Sequence, residues 1–180
     1  MRFAPALAAL VVLAAFAGCS PVSTEPEPPP PGRGWAQPAV AIESEEEALA
    51  AATRLYEAYV ESGESIVNMG GADPELVRPF VSGRWFEQLQ ASYRSLNATG
   101  NRSTGNSTMV DMRVQRWAAD EVTAYACRDY ANVRLLDERG VDITPPDRPR
   151  FGTFEVVFIS ENGRFVIDGD TLWSRGHSCF

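Results

Sequence analysis

Lysine is absent from this chain of 180 residues; all 16 basic residues are Arg. That removes Schiff-base chemistry and the lysine of a phosphate loop. Histidine is almost absent too. His177 stands alone between Gly176 and Ser178, close to the C-terminus, and reads as a solvent-exposed tail residue. One imidazole supplies neither a hydrolase triad nor a shared metal site. Cysteine occurs three times, at Cys19, Cys127 and Cys179, without a C-x-x-C pair, so a tetrahedral zinc site is short of ligands. Positive charge is scarce as well. With 24 acidic residues the formal net charge is −8, which speaks against a nucleic-acid partner, because phosphate contacts require a clustered positive surface. No glycine-rich phosphate loop, nucleophile elbow or metal-ligand spacing appears. Asp168-Gly169-Asp170 lacks the twelve-residue calcium spacing and is read as a bulge in a strand. No cofactor and no metal are therefore expected.

What is present begins with an apolar run, Ala6 to Ala17, all 12 residues of it apolar. A membrane-spanning helix needs about 20 residues, so this run reads as the core of an export signal. It closes with Phe16-Ala17-Gly18-Cys19, which resembles the bacterial lipobox, with Phe16 where Leu is usual. The resemblance implies lipidation of Cys19 and anchorage on the outer side of the cytoplasmic membrane. Ala15-Phe16-Ala17 also fits an ordinary A-x-A cleavage site, and simple secretion is the alternative. If Cys19 carries lipid, Cys127 and Cys179 remain as one pair in a disulfide-permissive compartment; the alternative is two unpaired thiols. Bridging them closes a loop of 53 residues (179 − 127 + 1), a constraint of about 4 kcal/mol in the chain-entropy model.

Residues 20–41 hold 7 of the 13 prolines, centred on Glu25-Pro26-Glu27-Pro28-Pro29-Pro30-Pro31. Such a segment favours polyproline II and cannot bury a core. The organisation expected is a signal peptide over 1–18, a lipidated Cys and proline stalk over 19–41, and one domain over 42–180. Trp35 lies in the stalk, where it is free to touch the domain or a partner.

Within the domain, Ser44-Glu45-Glu46-Glu47 is a capping box, and Ala48, Ala52, Leu55, Tyr56 and Tyr59 form one helical stripe behind it. Gly63 or Gly70-Gly71 would end that helix. Asp73-Pro74 starts a short second helix that stops near Pro79, and Ser82 caps a third reaching about Leu96, with Trp85, Phe86, Leu89 and Tyr93 on its stripe. Residues 97–108 read as a polar loop. The period then changes to two. Val110, Met112 and Val114 face inward on a first strand; a second runs from Glu121 towards Leu136; a third covers 151–159 and a fourth 164–173. Glu161-Asn162-Gly163 is a tight hairpin loop, and 137–150 an irregular connection. Helices followed by a run of strands predict an α+β domain, three N-terminal helices on a curved, mostly antiparallel four-stranded sheet.

This order resembles the nuclear transport factor 2-like family, whose helices lean on a curved sheet to make a cone. The family usually has a short strand between its second and third helices, for which only Phe80-Val81 is available; a cystatin-like or unrelated arrangement is the alternative. The resemblance implies a pocket that serves catalysis in some members and binding or assembly in others. Catalytic members use a carboxylate with a Tyr donor, or an Asp and His pair. By the period of two, Tyr125, Cys127 and Asp129 share one face of the second strand, and Ala124, Ala126, Arg128 and Tyr130 the other. Tyr125 and Asp129 are therefore the candidate acid-base pair, although Cys127 between them favours a structural patch with Asp129 paired to an Arg. Trp85, Trp117 and Trp173 are expected in the core, with Trp85 or Trp173 alternatively lining a pocket with Tyr56, Tyr59 and Tyr93. The expected work is non-catalytic binding or assembly in the cell envelope, with a protein partner or a small apolar ligand; an isomerase- or dehydratase-like enzyme is the alternative.

Overall fold

The computed structural model describes residues 42–176 and Cys179; the signal peptide, Cys19, the stalk with Trp35, and His177 lie outside the described residues. Helix α1 spans Glu45–Asn68. Ser44 accepts a hydrogen bond from the Glu47 amide at 3.2 Å, a cap of about 1 kcal/mol, while the Glu47 carboxylate accepts from the Glu43 amide, one residue earlier than a reciprocal box would have it. The helix buries the expected stripe, Ala48, Ala52, Leu55, Tyr56 and Tyr59. It passes through Gly63 and ends before Gly70-Gly71, both at positive φ. A Cβ on Gly71 would stand 2.3 Å from the carbonyl oxygen of Tyr93, so glycine is what lets the next helix pass there.

The second helix is a 3-10 turn, Pro74–Phe80. Asp73 takes the left-handed conformation and its side chain caps nothing, so Pro74 alone marks the start. Helix α2, Gly83–Thr99, is capped by Ser82, which accepts from the Trp85 amide at 3.1 Å.

Four long strands form one antiparallel sheet in the order β2-β3-β5-β6: β2 Thr108–Trp117, β3 Glu121–Asp129, β5 Phe151–Glu161 and β6 Arg164–Gly176. Asn162 and Gly163 both have positive φ, as a two-residue hairpin between Glu161 and Arg164 requires. The expected polar loop 97–108 contains instead the end of α2 and strand β1, Arg102–Thr104. This pairs with β4, Arg134–Leu136, which a turn separates from β3. Val81 makes one parallel bridge to Ile167 of β6, all that remains of a strand between the helices.

The helices lie on one face of the main sheet. Tyr56, Ile66, Val77, Phe86, Val122, Ala124, Ala126, Val156, Phe158 and Ile167 interlock there in a continuous core. Ala124 and Ala126 are fully buried beneath the helical layer, and each large aliphatic or aromatic side chain buried there contributes about 1.5–3 kcal/mol. The architecture is α+β, three helices on a mostly antiparallel four-stranded sheet, as expected of a nuclear transport factor 2-like cone.

Four register shifts interrupt the alternation, at Val110 and Gln115 on β2 and at Asp168 and Trp173 on β6, and two of them matter most here. One, between Met109 and Asp111 on β2, leaves Val110 53% exposed, contrary to the strict alternation. The other lies on β6, where Val157 pairs with Gly169 but Phe158 pairs with Ile167, so Asp168 is the extra residue. Trp117 and Trp173 are 40% and 63% exposed and are not core residues; Trp85 packs partly buried against the core.

Candidate functional site

The β6 bulge builds the site. Asp168 is held at the start of α2: Ser82 Oγ donates to its Oδ1 at 2.5 Å, Arg84 pairs with its Oδ2, and the Ser82 amide donates to the Ile167 carbonyl at 2.9 Å. Burial would raise the Asp168 carboxyl, but the hydrogen bonds from Arg84 and Ser82 outweigh it and hold the pKa below the usual value. With Asp168 taken out of the alternation, the next residues change sides. Asp170 then stands opposite Val156, on the face that carries Ile167 and Phe158, and points under the helices. Without the bulge, a period of two would have turned Gly169 inward and Asp170 out.

Asp170 lies at the inner end of a cavity of about 470 Å³. Helix α1 contributes Tyr59, Val60, Gly63, Glu64 and Val67; α2 contributes Tyr93; the sheet contributes Arg128, Phe154, Asp170 and Leu172. Tyr130, Val133, Leu135, Arg148-Pro149 and Arg175 add to the wall, with Ser103, Gly105, Phe151 and Gly152. Gly63 makes room within α1: a Cβ there would lie 3.2 Å from the Tyr93 hydroxyl.

Charge inside the cavity is organised in two layers. Arg128 on β3 donates to Glu64 Oε1 of α1 at 2.9 Å and to Ser107 Oγ at 2.9 Å, and Ser107 donates its amide to the same Glu64 oxygen at 2.8 Å. Arg128 and Glu64 are both 13% exposed and neutralise each other. The Arg128 guanidinium also lies 5.1 Å from the Tyr130 ring centre and 5.5 Å from that of Phe154. Asp170 has no such contact partner. Tyr56, packed beneath the cavity, donates its hydroxyl to Asp170 Oδ1 at 3.5 Å, a long bond. Burial pushes the Asp170 carboxyl up to about 6, against the pull of Arg128 and the Tyr56 and Tyr59 hydroxyls. The same burial raises Tyr56 and Tyr59 well above their ordinary value and Tyr93 to about 12. Trp85 Nε1 lies against Tyr59 without a well-formed hydrogen bond.

Of the residues singled out in the sequence, Tyr59 and Tyr93 line the cavity, Tyr56 supports its floor, and Trp85 sits behind Tyr59. The structure does not bring Tyr125, Asp129 and Trp173 to it. They lie on the opposite face of the sheet, where the Tyr125 and Trp173 rings meet tilted at 42° with centres 5.1 Å apart. Asp129 accepts two hydrogen bonds of 3.0 Å from Arg150 Nε, and that contact holds its carboxyl below the usual range. A base needs the opposite shift, so Asp129 is not one. Cys127, fully buried on the same outer face, is bonded to Cys179 with Cα atoms 5.7 Å apart, fastening the C-terminal tail to β3. Sequence reasoning missed Asp170, Arg128 and Glu64. The only signal for Asp170 in the sequence is the Asp-Gly-Asp bulge itself, which turns Asp170 to the other side of the sheet. Among the described residues no group of three or more His, Cys, Asp or Glu side chains could hold a metal ion, and no helix is long and apolar enough to cross a membrane.

No family model matches the sequence, and no curated protein matches it. Solved structures do. The intermembrane space region of chloroplast protein ARC6 superposes with a TM-score of 0.50 at 12% identity, covering 68% of this chain and 94% of its own. Aln2 from a Streptomyces gives 0.47 at 14% identity, over 73% and 93%. A protein of unknown function with a cystatin-like fold from Nostoc punctiforme gives 0.44 at 12%, over 72% and 91%. At these identities the likeness is one of fold alone.

Proposed function

We propose that this chain is an envelope lipoprotein, anchored through Cys19 on the outer side of the cytoplasmic membrane, whose cone domain holds a small, mainly apolar or aromatic ligand. The observation that carries the reading is the open cavity of about 470 Å³, within the range of ligand pockets, with aromatic and aliphatic walls and one carboxylate at its inner end. An assembly module needs no such space and would gain stability by filling it. The Cys127–Cys179 bond supports an oxidising compartment, and with it export.

The test is binding of a neutral fluorescent probe, N-phenyl-1-naphthylamine, to the full chain in detergent. Saturable enhancement is expected, and Leu172→Trp, which places an indole in the cavity, should abolish it while leaving the circular dichroism unchanged. Enhancement that persists in the filled variant would put the probe elsewhere and remove the support for this reading. Intact mass of the native protein tests the anchor: a diacyl increment on a chain beginning at Cys19 is expected.

A second reading rests on Asp170. A carboxylate titrating at about 6 beside tyrosine hydroxyls is poised for proton transfer near neutral pH, as an isomerase or dehydratase would need. It requires that Asp170→Asn retain ligand binding and lose ligand turnover; equal turnover by both forms would discard it.

A further inference from the structure

We infer that the ligand of this cavity is a hydroxylated organic anion, held with its anionic group at the mouth by Arg148 and Arg175 and its hydroxyl at Asp170. The inference rests on the ligand-binding reading above and adds the chemical class and the orientation.

The argument is a charge inventory. The chain as a whole is acidic, at −8, yet three guanidiniums and two carboxylates line the cavity. One pair, Arg128 with Glu64, is closed on itself, with Ser107 completing the polar contacts of both. Asp170 remains at the inner end without an ion pair, and Arg148 and Arg175 remain among the other lining residues. Arg148 donates to two backbone carbonyls, Tyr130 O at 2.7 Å and Val133 O at 2.9 Å. Those bonds fix the direction of the guanidinium; Asp142 feels its charge from the adjoining hollow, but no carboxylate among the described residues is within ion-pair distance of it. Arg175, near the end of β6, is exposed and has no carboxylate within 4 Å among the described residues. The neighbouring hollow adds no net field, since its Arg134 and Arg150 are paired with Asp142 and Asp129.

The cavity therefore sets an acceptor, Asp170, at its inner end against positive charge at Arg148 and at the exposed Arg175. A neutral hydrocarbon would use the walls and leave both ends unmatched. A simple cation would meet two guanidiniums on entry. A carboxylate, sulfonate or phosphate on an aromatic or aliphatic body fits the mouth, because guanidinium matches such oxygens with paired donors. A hydroxyl at the far end gives Asp170 the donor that Tyr56 supplies only at 3.5 Å.

Displacement of N-phenyl-1-naphthylamine from the full chain at pH 7.5 tests this with three competitors: 3-(4-hydroxyphenyl)propanoate, its methyl ester, and 3-phenylpropanoate. The acid is expected to bind about tenfold more tightly than the ester, and the deoxy acid several-fold more weakly than the hydroxy acid. Arg175→Glu should reduce the acid-to-ester preference at least threefold, read as the ratio of the two affinities within the variant. Doubling the salt should weaken the acid and not the ester. An ester that competes as well as the acid, or a preference untouched by Arg175→Glu while the probe still binds, overturns the inference and leaves the binding reading standing. Failure of the neutral probe itself to bind would take down both.

Discussion

Each face of the main sheet carries an aspartate held close against it, and the two are treated in opposite ways. On the outer face Asp129 sits in a fork of Arg150 and its pKa is lowered; on the inner face Asp170 is half-buried at the inner end of the cavity with tyrosine hydroxyls for company and its pKa rises to about 6. The residue types are the same. What differs is whether a guanidinium reaches the carboxylate directly or is already committed, as Arg128 is to Glu64. An aspartate on a sheet face is thus no indication of acid-base chemistry until its cation is accounted for.

The strongest way to break the comparison is to release the outer face. Cys179→Ser opens the link from β3 to the C-terminal tail, and the loop it closes is long, so stability should fall by about 4 kcal/mol in the chain-entropy model. Urea unfolding should show the same midpoint for the variant and for the reduced native protein. Probe binding in the cavity should survive wherever the variant remains folded, because the bridge fastens the outer face and not the cavity wall. A cavity lost with the bridge would mean that the two faces are one cooperative unit.

Asp170→Asn sharpens the contrast from the inside. A carboxyl raised from 3.8 to about 6 on folding favours the protonated form, so its contribution to stability is fully present below 3.8 and is lost as pH rises through 6. At pH 7.5 the buried charge costs about 3 kcal/mol relative to the protonated group, and at pH 4.5 about a third of the corresponding shift has developed. The stability of the Asn variant relative to the native protein should therefore improve by about 2 kcal/mol between pH 4.5 and 7.5, measured by urea unfolding at both. A constant difference would show that Asp170 is solvated. Tyr56→Phe should move the Asp170 transition to higher pH, since the hydroxyl it removes favours the ionised form.

These two carboxylates also mark how far the sequence could be read. Helix starts were legible because Ser44 and Ser82 act through their nearest neighbours, and the Asn162-Gly163 hairpin because two positive φ angles demand those residue types. The two faces of β3 were legible as sets. Which set faced the helices was not, since that depends on α1 delivering Glu64 to Arg128 across 64 positions. The short β1 and β4 strands have too little length for a period to show. Asp170 was hidden by the bulge, for a single extra residue reverses the side chains that follow it as far as the second shift at Trp173, and the bulge itself is held by Ser82 and Arg84, 86 and 84 positions away.

The smallest effect expected is the most specific. Arg150→Ala removes the two hydrogen bonds to Asp129 from Nε, and carbon-13 titration of the carboxyl should show its pKa returning towards the ordinary value, while Asp170 stays near 6. The sign for Asp129 is the reverse of that for Asp170: a lowered pKa adds stability above the unfolded value and loses it as pH falls through the folded one. The variant should therefore be less stable than the native protein at neutral pH and converge with it in acid. The difference stays small because the Arg150 side chain is 59% exposed and solvent screens the pair. A shift of Asp170 in the same titration would mean that the sheet transmits the change between its faces, and would end the separation between a structural carboxylate outside and a ligand-facing one within.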